Sequence, residues 1–166
     1  MATPAELLIV YHSVTGGTYQ MVQAAAQAAS QELEITVRVL RADQASAQDL
    51  LRAQGYLFAT PENLAAVSGL MKDFFDRSYY GALDCIQGRP YASLICAGSD
   101  GHNAARQIAK IATGWRLKAV AEPLIVCTHA QTPEAILAQK KISTSELERC
   151  AALGQAMAAG LAMGIF

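Results

Sequence analysis

Short apolar runs alternate with stretches of helical period along this chain. The runs Glu6–Tyr11, Glu34–Leu40, Gly55–Thr60, Tyr91–Ala97 and Ala121–Thr128 have strand length and are bounded by turn residues. Between them, the patterns near Thr18–Ser30, Ala47–Ala53, Ser68–Tyr80 and Asn103–Gly114 predict helices. A last helix is expected from about Ser145 to Met163. There Leu147, Cys150, Gly154, Met157 and Leu161 share one face, and Ser145 with Glu148 forms a capping box. No repeat, low-complexity tract or linker interrupts the alternation, so one domain over 1–166 is expected. Right-handed crossovers and short connections favour an α/β fold of three layers, α/β/α. Its core is a doubly wound five-stranded parallel sheet in the order 2-1-3-4-5. In that order the switch point lies between the first and third strands, and ligands bind outside the carboxyl ends there. The loops HSVTGGT, TPENLAAVSG and GSDGHN converge on that crevice.

Charge and cysteines remove several function classes. Lysine and arginine number 13 against 14 acids, a net charge of -1, so the chain carries no strong field for nucleic acid or an anionic membrane. Cys85, Cys96, Cys127 and Cys150 show no metal-ligand spacing, and free thiols in a reducing cytosol are expected. MATPAELLIV lacks the basic and apolar regions of a signal peptide, and the run ending MAAGLAMGIF is too short to span a bilayer. A cytoplasmic protein without a membrane span is the expectation.

The loop after the first strand carries the most chemistry. Ser13, Thr15 and Thr18 offer hydroxyls, Gly16 and Gly17 let the backbone turn its amides inward, and the helix beginning near Thr18 adds unpaired N–H groups. This is an anion site made of neutral groups, suited to a terminal phosphate monoester. A hydroxyl-rich turn that merely caps a helix is the alternative. Neither GxxxxGK followed by a hydroxyl residue nor GxGxxG is present. With no lysine or arginine in the loop, it is built to hold a phosphate, not to transfer one.

The run IVYHSVTGGT resembles the phosphate loop of flavodoxins and flavodoxin-like reductases, with Ser13, Val14, Thr15, Gly16, Gly17 and Thr18 at the motif positions. Gly17 stands where many members have asparagine. The stretch GYLFATPENLAAVSGLMKDFFDRSYY is similar to the second flavin loop and following helix of the NAD(P)H-dependent flavin and quinone reductase branch. The resemblance implies a flavodoxin-like fold and a flavoprotein with FMN as cofactor. It places Thr60, Pro61, Glu62 and Asn63 beside one edge of the flavin. It places Gly98, Ser99, Asp100, Gly101 and His102 along the pyrimidine side, although GSDG also reads as an ordinary turn and His102 as a helix cap.

Electron-carrying flavodoxins commonly stack an aromatic residue on the ring, yet Pro61 to Gly69 contains none. An open face admits a nicotinamide or a quinone, and the weak net charge gives little steering toward a protein partner. Phe74, Phe75 and Trp115 are expected in the core or an interface, and Asp76 and Arg77 at a solvated helix end. The resemblance thus implies an oxidoreductase that uses NADH or NADPH as co-substrate to reduce a quinone or similar small acceptor. Catalytic candidates are confined to Asp100 and His102. The alternative is a flavodoxin acting in electron transfer between redox partners. The resemblance and the apolar last helix imply a homodimer or homotetramer.

Overall fold

The computed structural model describes residues 3–166; residues 1 and 2, the start of the expected domain, lie outside it. Strand β1 (Ala5–Tyr11) is buried on both faces because its apolar run is continuous, as a central parallel strand requires. It pairs in parallel with β2 (Ile35–Arg41) on one side and β3 (Gly55–Asn63) on the other, and β3 pairs with β5 (Pro90–Ala97). Beyond β5 lie β6 (Lys118–Ala119) and β7 (Leu124–Cys127), both parallel to it. The order β2-β1-β3-β5 followed by this outer pair is the 2-1-3-4-5 winding, with the fifth position split in two. Pro123, which has no N–H to donate, stands at the break, so one ladder from Ala121 to Thr128 does not form.

Alternate residues of β1 feed two cores. Leu7 and Ile9 pack with Met21, Val22 and Met157 of α1 (Gly17–Ala29) and the last helix, α6 (Thr144–Met163). Leu8 and Val10 face Phe58, Phe74, Phe75 and Trp115, beneath α2 (Ala47–Arg52), α3 (Gly69–Ala82) and α4 (His102–Gly114). Trp115 is fully buried, donates its Nε1–H to Tyr79 O at 2.9 Å and stacks on the Tyr79 ring, which keeps both out of the crevice. Asp76 and Arg77 are both exposed, as expected, but lie within α3 and not at its end, and the Arg77 guanidinium donates to Ala42 O and Ala45 O at 2.8 and 3.0 Å, tying α3 to the chain after β2. Arg77 also pairs with Asp73, whereas Asp76 pairs with Lys72.

Three local features differ from the sequence reading. Strand β3 continues past Thr60 to Asn63 and doubles back as the two-residue strand β4 (Ala66–Val67). The turn residues Leu64 and Ala65 both have positive φ, 51° and 62°, the requirement of a tight hairpin turn usually met by Asn-Gly. A short helix, α5 (Pro133–Leu137), occupies what reads as loop. The cap of α6 is Ser143, whose Oγ accepts from Glu146 N, two residues before the expected Ser145. All four cysteines are free, and no helix among the described residues is long and apolar enough to cross a membrane.

Candidate functional site

The chain leaves β1 with His12 N–H bonded to Ala59 O and enters the first loop. Gly16 turns it at φ 87°, a left-handed conformation costly for any residue with a Cβ. Two carbonyls of the loop are engaged. Thr15 O accepts from Lys140 N–H at 2.8 Å, and Gly16 O accepts from both the backbone and the side-chain amide of Gln20. With those carbonyls engaged, the N–H groups of Ser13 to Thr18 have no acceptor among the described residues, while Ser13 Oγ accepts from Tyr19 N–H. Thr18 Oγ1 is buried and also unpartnered. A row of free amides at a helix N-terminus with an orphaned hydroxyl beside it is what an anion needs. The phosphate expected from the sequence therefore fits the groups present.

A strap from the far end of the chain holds this loop. Gln20 Nε2 donates to Lys140 O at 2.8 Å and Gln20 Oε1 accepts from Ile142 N–H at 3.0 Å, stitching residues 140–142 to the first turn of α1. Lys140 Nζ donates to the carbonyls of Ala135, Ile136 and Ala138, so the ammonium organises the end of α5. A Cβ on Gly17 would fall 2.6 Å from Cys96 Sγ, which explains why no side chain stands there.

The second and third loops form one piece. The carboxylate of Glu62 accepts from Gly101 N–H at 2.8 Å and Ala104 N–H at 3.0 Å, capping α4 from a different element. Asn103 Nδ2 donates to Ala65 O, and Gln107 Oε1 accepts from Val67 N–H, so the hairpin is pinned along the same helix. Below it, Thr60 Oγ1 and Ser68 Oγ are hydrogen bonded, and Ser68 Oγ lies 2.7 Å from His12 Nδ1. This buried chain joins the second loop to the first.

Between these walls lies an open, shallow cleft with a cavity volume of about 70 Å³. Of the residues singled out from sequence, Ser13, Val14, Thr15, Gly17, Thr18, Pro61, Glu62, Asn63 and Gly98 line it. Gly16, Thr60, Ser99, Asp100, Gly101 and His102 do not. Thr60 is fully buried under the hairpin. Asp100 and His102 make an exposed pair, Nδ1 to Oδ1 2.6 Å, and that hydrogen bond holds the Asp100 carboxyl below its ordinary range. The His102 side chain borders a groove with Arg106 and Glu122, not the main cleft. Cys96, Ala97, Thr128, Ala130, Ile136 and Lys140 complete the lining and were not singled out. The topology gave a signal for Thr128 and Ala130, which follow the last strand at the same sheet end. Ile136 and Lys140 arrive through the strap, which has no local signature.

The cleft's own titratable groups are committed. Glu62 caps α4, Lys140 holds three carbonyls, and burial pushes the Cys96 thiol up to about 11, so it is protonated at neutral pH. Rigid amides, small residues and an absence of loose acids or bases suit a site that binds and orients a group whose own chemistry does the work.

Comparison with known proteins bears on which group that is. Residues 42–132 match the sequence model of the family described as NADPH-dependent FMN reductase. A flavodoxin from Aquifex aeolicus is 32% identical over 94 residues, 57% of this chain and 49% of that protein, so the match spans about half of that relative's length. A flavodoxin from the domain Archaea superposes with a TM-score of 0.75 at 18% identity, covering 94% of this chain and 98% of that one. A flavodoxin, WrbA-like protein from Agrobacterium tumefaciens gives 0.67 at 19%, covering 96% and 98%. Rubredoxin oxygen:oxidoreductase from Desulfovibrio gigas gives 0.76 at 14%, covering 98% of this chain and 37% of that one. These superpositions establish the flavodoxin-like fold.

Proposed function

We propose that this chain, which belongs to the NADPH-dependent FMN reductase family, holds FMN in the main cleft and uses NADH or NADPH to reduce a quinone or similar small acceptor. The observation that supports this most is the row of unused amides from Ser13 to Thr18 with the orphaned Thr18 hydroxyl, a cradle for a phosphate monoester. In this reading Ser13 to Thr18 grip the phosphate, while Pro61, Glu62, Asn63 and Gly98 flank the rest of the cofactor. Bound FMN supplies hydride acceptance and electron release to the acceptor.

The protein's contribution is position. The Glu62 cap and the Asn103 and Gln107 bonds hold the two ring-side loops in a fixed relation, so little reorganisation is required when a flat ligand enters. The hairpin tip carries Leu64, fully exposed, where an aromatic lid is lacking. Val14 and Ile136, both exposed, line the cleft and give its mouth apolar surface suited to a small planar acceptor.

A second reading, an electron carrier between proteins, is favoured by the flavodoxin from Aquifex aeolicus. A net charge of -1 argues against it, because docking on a basic partner gains little from so weak a field. Calorimetry with FMN and then with riboflavin tests the site: one FMN per chain at micromolar affinity or better, about 8 kcal/mol, is expected. Binding of FAD or a nucleoside triphosphate with no heat from FMN would overturn it.

A further inference from the structure

The groups that the first loop offers a phosphate are amides and hydroxyls, all neutral, whereas a phosphate monoester carries nearly two negative charges at neutral pH. Among the residues that line the main cleft, Lys140 is the sole base, and Glu62, occupied with the cap of α4, the sole carboxylate. Lys140 comes from the strap and is fixed beside the loop by its own backbone. Its N–H donates to Thr15 O and its carbonyl accepts from Gln20 Nε2, both at 2.8 Å. A Cβ on Gly17 would lie 3.5 Å from Lys140 Cβ, so the lysine side chain starts against the first residue of α1.

The ammonium is held without being neutralised. Its three protons go to Ala135 O, Ile136 O and Ala138 O at 2.8, 2.7 and 2.6 Å, and it forms no ion pair among the described residues. The charge is felt inside the cleft, where it acts against the burial that raises the Cys96 thiol. Helix α5 has little support of its own. None of its five residues is buried, and Ile136 and Leu137 are 51% and 75% exposed, so its order depends on the Thr132 cap and on Lys140. A hydrogen bond to a charged acceptor is about twice as strong as one to a neutral acceptor. A phosphate oxygen can therefore displace one of the three carbonyls, and the other two keep α5 attached.

We propose that Lys140 is the countercharge of the phosphate site: on binding, its ammonium gives up one carbonyl for a phosphate oxygen and so ties the strap, 133–142, over the ligand. The proposal rests on the FMN reading of the main cleft for its ligand and needs neither the co-substrate nor the acceptor. It adds a charged binding residue to a loop of neutral donors and gives the strap a task.

The test uses the whole chain freed of flavin, with FMN, riboflavin and inorganic phosphate as probes and the ionic strength varied. In fluorescence titrations, Lys140→Met should weaken FMN by about tenfold at low salt and riboflavin by less than about twofold. The salt dependence of FMN affinity should flatten in the same variant, since the charge that salt screens is gone. Lys140→Arg should keep most of the FMN affinity. Lys141→Met, the same loss of charge one residue outside the cleft lining, should leave both ligands unchanged. Amide exchange over 134–142 in the parent chain should slow with FMN or inorganic phosphate and not with riboflavin, a readout that stands even if the methionine variant does not fold. A role confined to holding α5 together would weaken both flavins alike and leave the salt dependence intact. That result, or unchanged FMN affinity in Lys140→Met, or exchange that neither FMN nor phosphate slows, overturns the proposal. Lys140-dependent slowing by inorganic phosphate in a chain that takes no FMN would sustain the countercharge and remove the FMN reading instead.

Discussion

Thr18→Val separates what the fold needs from what the ligand needs. Thr18 is 1% exposed and its Oγ1 has no hydrogen-bond partner. A buried hydroxyl left unpaired costs about 1–3 kcal/mol, and valine keeps the β-branched shape while removing that oxygen. The apo variant should therefore be as stable as the parent or more stable, by up to about 1 kcal/mol once imperfect packing is allowed for. Binding should move the other way. A hydrogen bond to a charged phosphate contributes about 1.5–3 kcal/mol, so FMN should weaken by about 10-fold to 150-fold. Riboflavin, which lacks the phosphate, should change by less than about twofold. Urea unfolding of the apo protein and fluorescence titrations of both ligands check the two signs. Loss of more than about 1 kcal/mol of apo stability would show that the hydroxyl has a partner in the fold. Equal losses for FMN and riboflavin would show that Thr18 does not face the phosphate.

Three further outcomes follow from other parts of the structure. Gln20→Leu removes two bonds that stitch the strap to the first turn of α1 and a third to Gly16 O, and should weaken FMN by about tenfold with a smaller effect on riboflavin, measured by the same titrations. Leu64→Asn with Ala65→Gly relieves two residues held at positive φ, and should raise the urea midpoint by an amount equivalent to about 1 kcal/mol; a fall in the midpoint would show that the turn is not strained. Burial raises the Asp49 carboxyl, but hydrogen bonds from Arg38 and Ser46 and the Arg38 charge outweigh it and hold the group below its ordinary value. Its contribution to stability is then present above about pH 3.8 and lost as pH falls through the lower folded value. Asp49→Asn should accordingly flatten the acid limb of a stability-versus-pH curve below that point, and an unchanged slope would refute the assignment.

The central strands and the donor-rich first loop were legible because each is local: a continuous apolar run buried on both faces, then hydroxyls and glycines before a helix. What was not legible depends on partners far away in the chain. Lys140 reaches Thr15 and Gln20 across more than a hundred positions, and nothing in TPEAILAQKK signals that the segment closes over another loop. The hairpin was hidden because Leu64 and Ala65 carry no turn chemistry; it forms because α4 grips it through Asn103 and Gln107. Glu62 lines the cleft, but its bonds to Gly101 and Ala104 could be seen only once α4 was in position. The same contacts leave Asp100 and His102 outside the lining, paired with each other in solvent. Pro123 was a readable signal for the split of the outer strand, since proline cannot donate to a ladder, yet the apolar residues around it masked the break.

The most direct test of the reductase reading is anaerobic mixing of the FMN-loaded protein with NADPH while the visible absorbance of the flavin is followed. The account predicts rapid and complete bleaching, restored on addition of a small quinone. A flavin spectrum that NADPH leaves unchanged, in a protein reduced readily by an electron-donor protein, would contradict it and establish the carrier.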